Sequence, residues 1–494
     1  MSLDPRLAVG SDERVLVDAL FDGLTRLDTE QSPLPALARS WTVEDDATTF
    51  RFELDPQARW HDGQPVVAAD VVRGLERVLD TTALPPSPFA DLLEPLVGSD
   101  AARQGEPLVG ATAPSDHVLQ LRTRRPVPEL PVVLAHPGLA PVPAVALDEP
   151  TAFGRSPVGN GPFRLAEPWA SNQFLRLVAF DEHPDPPVLA EVVFRVYAGD
   201  DGDQRADDLL AGALGVAQVP PGRRDELRAA VGSVAAAGTP GVHDDLTATA
   251  SMLLLDVRRP PMDDLRLRRA VSLLVDREAS VALTADERVA PEGLVPESLR
   301  EAPEGSCRWC TFDPSTAGEL IARVREERAG EPLPPLRIVS SDDPLHAGML
   351  GDLVTRLGSF GIEAELVTPS VEDYLGAARE AGAGAVRIAW SPQVAGLPSW
   401  GSGLFRAGAP GRELTGFDPP PVRDLAVTAT SDPRPTLRRT AEQSLIRLLL
   451  DQAVVVPLLH YRDDLVVARD VAGLVRDPFG DVDLASVRLL PAGP

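Results

Sequence analysis

The residue types that could carry covalent or metal chemistry are sparse in this chain and do not converge. Its seven histidines are scattered, with neither an H-E-x-x-H zinc pattern nor a G-x-S-x-G nucleophile turn. His61, in the run WHDG, could serve as a ligand or a base. The only two cysteines, Cys307 and Cys310 in SCRWCTFDP, have no second pair or nearby histidine to complete a zinc site. A redox role needs the pair at a helix start after a thioredoxin-like strand, and the proline-rich stretch 291–303 offers none. A local disulfide, free thiols, and metal or redox chemistry stay open, in that order. The acidic run GDDGDQRADD at 199–208 lacks the closing glutamate and the Asp/Asn spacing of a calcium loop, and reads as a solvated loop. Gly159, Gly161 and Pro162 shape a tight turn rather than a phosphate-binding loop. No catalytic set, metal site or cofactor is expected from these residues, and an enzyme stays open as a rival for which no nucleophile–base pair can be nominated.

The elements that would position such a site are clearer. Over residues 34–80 the alternation of Phe50, Phe52 and Leu54 predicts a half-buried strand. Asp62-Gly63 marks a turn, and Asp70 opens a helix with Val71, Leu75, Val78 and Leu79 on one apolar face. In the C-terminal half, LRIVS (336–340), a helical stretch around 346–359 and IEAELV (362–367) form a strand–helix–strand unit. A helix over 371–381 and the strand AVRIAW (385–390) extend it, which is how a parallel sheet is built. No solenoid repeat interrupts this alternation, and the fold class is α/β.

At 494 residues the chain is long enough for two or three domains. A net charge of −27 argues against nucleic acid as a partner, since that selects basic patches. A diffuse acidic surface reads as solubility rather than as a cationic-ligand site. The sequence contains no lysine, so all 47 basic residues are arginine, a matter of codon usage rather than function. No apolar run approaches the ~18 residues that span a bilayer. The start MSLDPRLAVGSDER has neither a basic nor an apolar region and does not read as a signal peptide.

The order of motifs goes beyond what periodicity supplies. The run of Ser40-Trp41, an acidic turn, a Phe-rich strand, His61-Asp62-Gly63 and Ala69-Asp70-Val71 resembles the signature of the bacterial extracellular solute-binding proteins of family 5. These are the receptors that feed peptide, dipeptide and nickel ABC importers. SLDP at 2–5, LFDGLTRLD at 20–28, PVGNGPFRL at 157–165, DDLRLRRAVSLLVDRE at 263–278, GIEAELV at 361–367, Trp390 and the segment 441–474 continue the resemblance in order. It thus covers nearly the whole chain.

The resemblance implies an α/β fold of the periplasmic-binding-protein type, with two lobes, a hinge between them and an extra inserted domain, three domains in all. Lobe I would comprise 1–32, 157–245 and 455–494, the inserted domain 33–156, and lobe II 246–454. A small solute or peptide would be captured in the interlobe cleft and delivered to a membrane permease and its ATPase. The protein would be a non-enzymatic, extracytoplasmic monomer, and His61 would belong to a structural turn. A disulfide at Cys307 and Cys310 would suit that location. Because the family carries a leader and a first strand before its LDP element, a trimmed or misassigned start is expected here. The competing expectation is a cytosolic ligand-sensing domain of a transcriptional regulator.

The resemblance also implies ligand-binding residues: Trp390, Gln393, Arg387 and Trp400. Peptide-binding relatives carry W-x-x-D, whose carboxylate grips the ligand's α-ammonium group. Here Trp390 matches, but Gln393 replaces the acid, and Val394 and Leu397 or its neighbours replace the following Tyr and Asp. Some relatives place an arginine three residues before the tryptophan, as Arg387 is here, where it could meet an anion bidentately. Ala213 and Gly215 stand where relatives have Gly-Glu-x-Asp. These departures leave open a divergent ligand, apolar, neutral or anionic, within the peptide-receptor class, or a member that has lost ligand binding.

Overall fold

The computed structural model describes residues 2–491 except 45, 170–173, 198–201, 221, 235, 245, 283–287, 300–302, 304–306, 380–382, 395–399, 478 and 481. The chain divides into two compact units, one of 1–243, 393–395 and 465–494, the other of 244–392 and 396–464.

In the first unit the hairpin Ala38–Val43 and Thr49–Leu54 joins strands Val118–Arg122 and Ala111–Ser115 in one antiparallel sheet. Phe50, Phe52 and Leu54 are fully buried, as the period of two requires. Helix Ala68–Leu79 buries Val71, Leu75, Val78 and Leu79 in the same core. Asp70 lies inside the first turn rather than at the cap; its Oδ2 accepts from the Val67 N–H at 3.0 Å and from Trp60 Nε1 at 3.1 Å. The carboxylate therefore satisfies a free helix-end N–H and fastens the turn before it. His61 holds the turn of the WHDG run: its Nδ1 accepts from Gly159 N at 3.1 Å and its Nε2 donates to Gly161 O at 3.1 Å. Burial holds this imidazole down at about 4, so it is neutral. A Cβ at Gly159 would lie 1.8 Å from Leu20 O, so only glycine admits that approach.

Asp4 and Arg77 form a bidentate pair in this core, with contacts of 2.6 and 2.7 Å. Residues 202–208 of the acidic run lie in helix Gly202–Leu210, not in a loop. The Asp, Gln and Arg side chains there make local hydrogen bonds that a helix tolerates, and Ala206 and Leu209 supply its buried face; residues 199–201 fall outside the described residues.

The second unit is built on a six-stranded sheet. Its strands are β1 (Leu246–Leu255), β2 (Arg288–Val289), β3 (Leu336–Val339), β4 (Ala364–Val367), β5 (Ala385–Trp390) and β6 (Val455–Arg462). Their order is β2-β6-β1-β5-β3-β4. The predicted parallel set is present, with β3 parallel to both β4 and β5. It occupies half of a mixed sheet, because β1, β6 and β2 add antiparallel to it. The helices α1 (Pro344–Ser359) and α2 (Val371–Arg379) are the expected connections; residues 380 and 381 of the longer expected helix lie outside the described residues.

Cys307 and Cys310 form a disulfide, with their Cα atoms 5.4 Å apart. Its loop is also tied down by Arg277, which is buried and donates to Cys310 O at 2.5 Å and to Pro457 O at 2.8 Å. With only neutral acceptors around it, burial pushes the Arg277 guanidinium down to about 9. Because the closed loop is so short and separately fastened, reduction should lower stability by no more than about 1–2 kcal/mol. Denaturant melts with and without reductant measure this, and a larger loss would show that the bond carries the loop.

Candidate functional site

In the second unit, polar side chains cross one sheet face from strand to strand. Arg387, on β5, is 8% exposed. Its Nε donates to Ser251 Oγ of β1 at 3.0 Å. Its Nη2 donates to Tyr461 Oη of β6 at 2.6 Å and to His346 Nε2 of α1 at 2.8 Å. Arg288 of β2 stacks on the Tyr461 ring at 4.4 Å. On the other side, the pairing of Val339 with Val386 carries Ser340 alongside Arg387.

The start of α1 explains how His346 is aimed. Asp343 is its N-cap, accepting from the His346 N–H at 3.0 Å, and its Oδ1 also lies 2.7 Å from His346 Nδ1. A guanidinium can only donate, so His346 Nε2 must be the acceptor and the ring proton sits on Nδ1, donated to Asp343. Burial, reinforced by Arg387, pushes this imidazole down to about 4. The hydrogen-bond partners of Arg387 among the described residues are therefore all neutral. A buried cation with no carboxylate hydrogen-bonded to it among the described residues is unusual, because desolvation of a charge is costly; here Asp343, across the His346 ring, is a carboxylate that feels its charge. Nearby, Tyr374 of α2 is pushed up to about 12 by burial, and its hydroxyl and Ser340 Oγ have no hydrogen-bond partner among the described residues. The arrangement lies at the carboxyl end of β3, beside the middle of β5, and ligand sites of open α/β sheets gather at such strand ends.

The other expected site residues are placed differently. Trp390 ends β5, three residues from Arg387, so the two leave the strand on opposite faces. Its ring lies beside Gly403 of helix Gly401–Phe405. Trp400 is completely buried at the start of that helix. Glu442 accepts there from the Gly401 and Ser402 N–H groups, and burial pushes its carboxyl up to about 8. Gln393 groups with the first unit, where its amide donates to Pro88 O at 3.4 Å. Leu397 lies outside the described residues. Sequence reading missed Ser251, Arg288, His346, Tyr374 and Tyr461. Only Asp343 and His346 left a usable signal, an acid and a histidine three apart at a proline-marked helix start. The others come together through strand pairing across long stretches of chain.

The second unit thus sets the Arg387 guanidinium near two polar groups, Ser340 Oγ and Tyr374 Oη, that lack hydrogen-bond partners among the described residues. The family model described as bacterial extracellular solute-binding proteins, family 5 Middle, matches residues 32–410. The chain belongs to this family of peptide-type transport receptors, whose members are periplasmic or extracellular. It is 24% identical to the dipeptide-binding protein DppE of Bacillus subtilis, over 98% of this chain and 89% of that one. Against the periplasmic oligopeptide-binding protein OppA of Escherichia coli it is 24% identical, over 97% of this chain and 88% of that one. The fold is that of HbpA2 from Haemophilus parasuis, with a TM-score of 0.85 at 17% identity, covering 99% of this chain and 98% of that one. Haemophilus influenzae OppA in complex with the peptide RPPGFSPFR superposes with a TM-score of 0.73 at 20% identity, covering 99% and 97%. The reading as a regulator's sensing domain has no support in these comparisons.

Proposed function

We propose that the protein captures a small peptide or peptide-like solute bearing an anionic group and hands it to an ABC permease and ATPase at the membrane. It acts outside the cytoplasm, as a monomer and without catalysis. One observation carries the anionic preference: Arg387 is buried and its hydrogen-bond partners among the described residues are neutral, so a ligand carboxylate would give it a directly bonded counter-charge. The peptide class is supported by the names of the relatives, which are dipeptide- and oligopeptide-binding proteins. Trp390 stays a proposed ligand-binding residue and, separately, Gln393 stands in the place of an ammonium anchor, whereas Trp400, wholly buried at its helix start, offers no surface to a ligand.

A neutral amide cannot repay the desolvation of an ammonium group as a carboxylate does. Free-amine di- and tripeptides should therefore bind weakly, and Gln393→Asp should strengthen them by about ten- to hundredfold, the equivalent of ~1.5–3 kcal/mol. Calorimetry with a small peptide panel on both proteins is the test. Sub-micromolar binding of free-amine peptides by the unaltered protein would show that another acid anchors the ammonium.

A further inference from the structure

Among the described residues, the charged and titratable groups facing the His346 ring come from four elements. Asp343 of its own helix takes the Nδ1 proton at 2.7 Å. Arg387 of β5 donates to Nε2 at 2.8 Å, and the Tyr461 hydroxyl of β6 lies 3.3 Å from the same nitrogen. Arg288 of β2, over the Tyr461 ring, adds a second positive charge that also disfavours the imidazolium. Burial first, and then the Arg387 guanidinium, outweigh the opposing pull of Asp343 and keep His346 neutral. Arg387 Nη1 has no hydrogen-bond partner among the described residues, which leaves that edge of the fork for a ligand.

An anion on that edge reverses the local charge balance. Resting on the anionic-ligand reading above, we propose that ligand capture at Arg387 is coupled to proton uptake by His346, so that anionic ligands are held more tightly as the pH falls. The proton comes from solvent and goes to Nε2. Protonated Nε2 can no longer accept from Arg387, so it turns to donate to the anion, and Arg387 Nη2 donates to the same anion instead. The Asp343 contact at Nδ1 is retained, keeping the ring in place as its charge changes. The sign follows from linkage: a group whose pKa rises on binding makes binding tighter at lower pH, and each unit of rise is worth tenfold. From a starting value of about 4, the tightening sets in as the pH falls through the raised, ligand-bound value and is complete below about 4, a range over most of which a peptide carboxylate is still ionised.

The test uses acetyl-trialanine with a free C-terminal carboxylate and the same peptide as its C-terminal amide. Calorimetry in buffers of different ionisation enthalpy gives both Kd and protons taken up. Kd for the acid should fall by up to about tenfold from pH 7 to pH 5 with fractional proton uptake, while the amide binds poorly at either pH. In His346→Gln, which preserves an acceptor and a donor but does not titrate, the pH slope should vanish. Nitrogen NMR of the histidine rings gives a second readout in the unaltered protein, in which Nε2 gains a proton when the acid is added. A pH-independent Kd without proton uptake overturns the coupling and leaves the anionic-ligand reading standing. A slope that survives in His346→Gln overturns the assignment to this residue. Equal binding of acid and amide, or binding of neither, overturns both.

Discussion

In Arg387→Ala, affinity for a carboxylate-bearing ligand should fall by about ten- to hundredfold, the range set by one charged hydrogen-bonding contact at ~1.5–3 kcal/mol. The loss should be selective. An uncharged analogue never used the guanidinium charge, so its affinity should change little. Stability should also change little, because the partners left behind are neutral. Ser251, Tyr461 and His346 can each act as donor or acceptor and can rearrange among themselves, with Tyr461 already 3.3 Å from His346 Nε2. Removing a buried cation that has no hydrogen-bonded carboxylate among the described residues also removes its desolvation cost. Calorimetry on an acid and amide pair, with a melt of the same variant, separates these effects. A large stability loss with equal weakening of both ligands would make Arg387 a structural strut instead.

The largest stability effect should come from Arg77→Ala in the first unit. Asp4 is 2% exposed and receives both of its short contacts, at 2.6 and 2.7 Å, from Arg77. Without Arg77 the carboxylate stays buried with Arg6 as its remaining ion-pair partner, at a longer 3.5 Å. Breaking one side of a buried pair costs about 3–5 kcal/mol, since the surviving charge is left desolvated. Lost packing of Arg77 on the Phe153 ring, 5.7 Å away, adds to this. Removing both partners, as in Asp4→Asn with Arg77→Met, should destabilise less than Arg77→Ala alone. Equilibrium denaturation of the three proteins decides the matter. A double variant at least as unstable as Arg77→Ala would mean that the charge pair itself is not what the fold requires.

These two arginines also show where sequence reading reaches and where it stops. Local pattern determined the elements: Phe50, Phe52 and Leu54 mark their strand by a period of two, and the helix over Ala68–Leu79 by its apolar face. The order of weak motifs along nearly the whole chain determined the family, because no single motif had to be specific. Arg387 was found as a position on a strand, from its spacing to Trp390. Spacing could not supply its neighbours. Ser251, His346 and Tyr461 stand 136, 41 and 74 residues away in the chain and meet it only through the pairing of β1, β5 and β6 and the start of α1. Nor could spacing say that Trp390 leaves the opposite side of the sheet or that Trp400 is wholly buried. A side chain's type and period are local properties of the chain, and they survive in the sequence. Its charge environment is the sum of groups brought together by long-range strand register, and only the tertiary structure decides that sum.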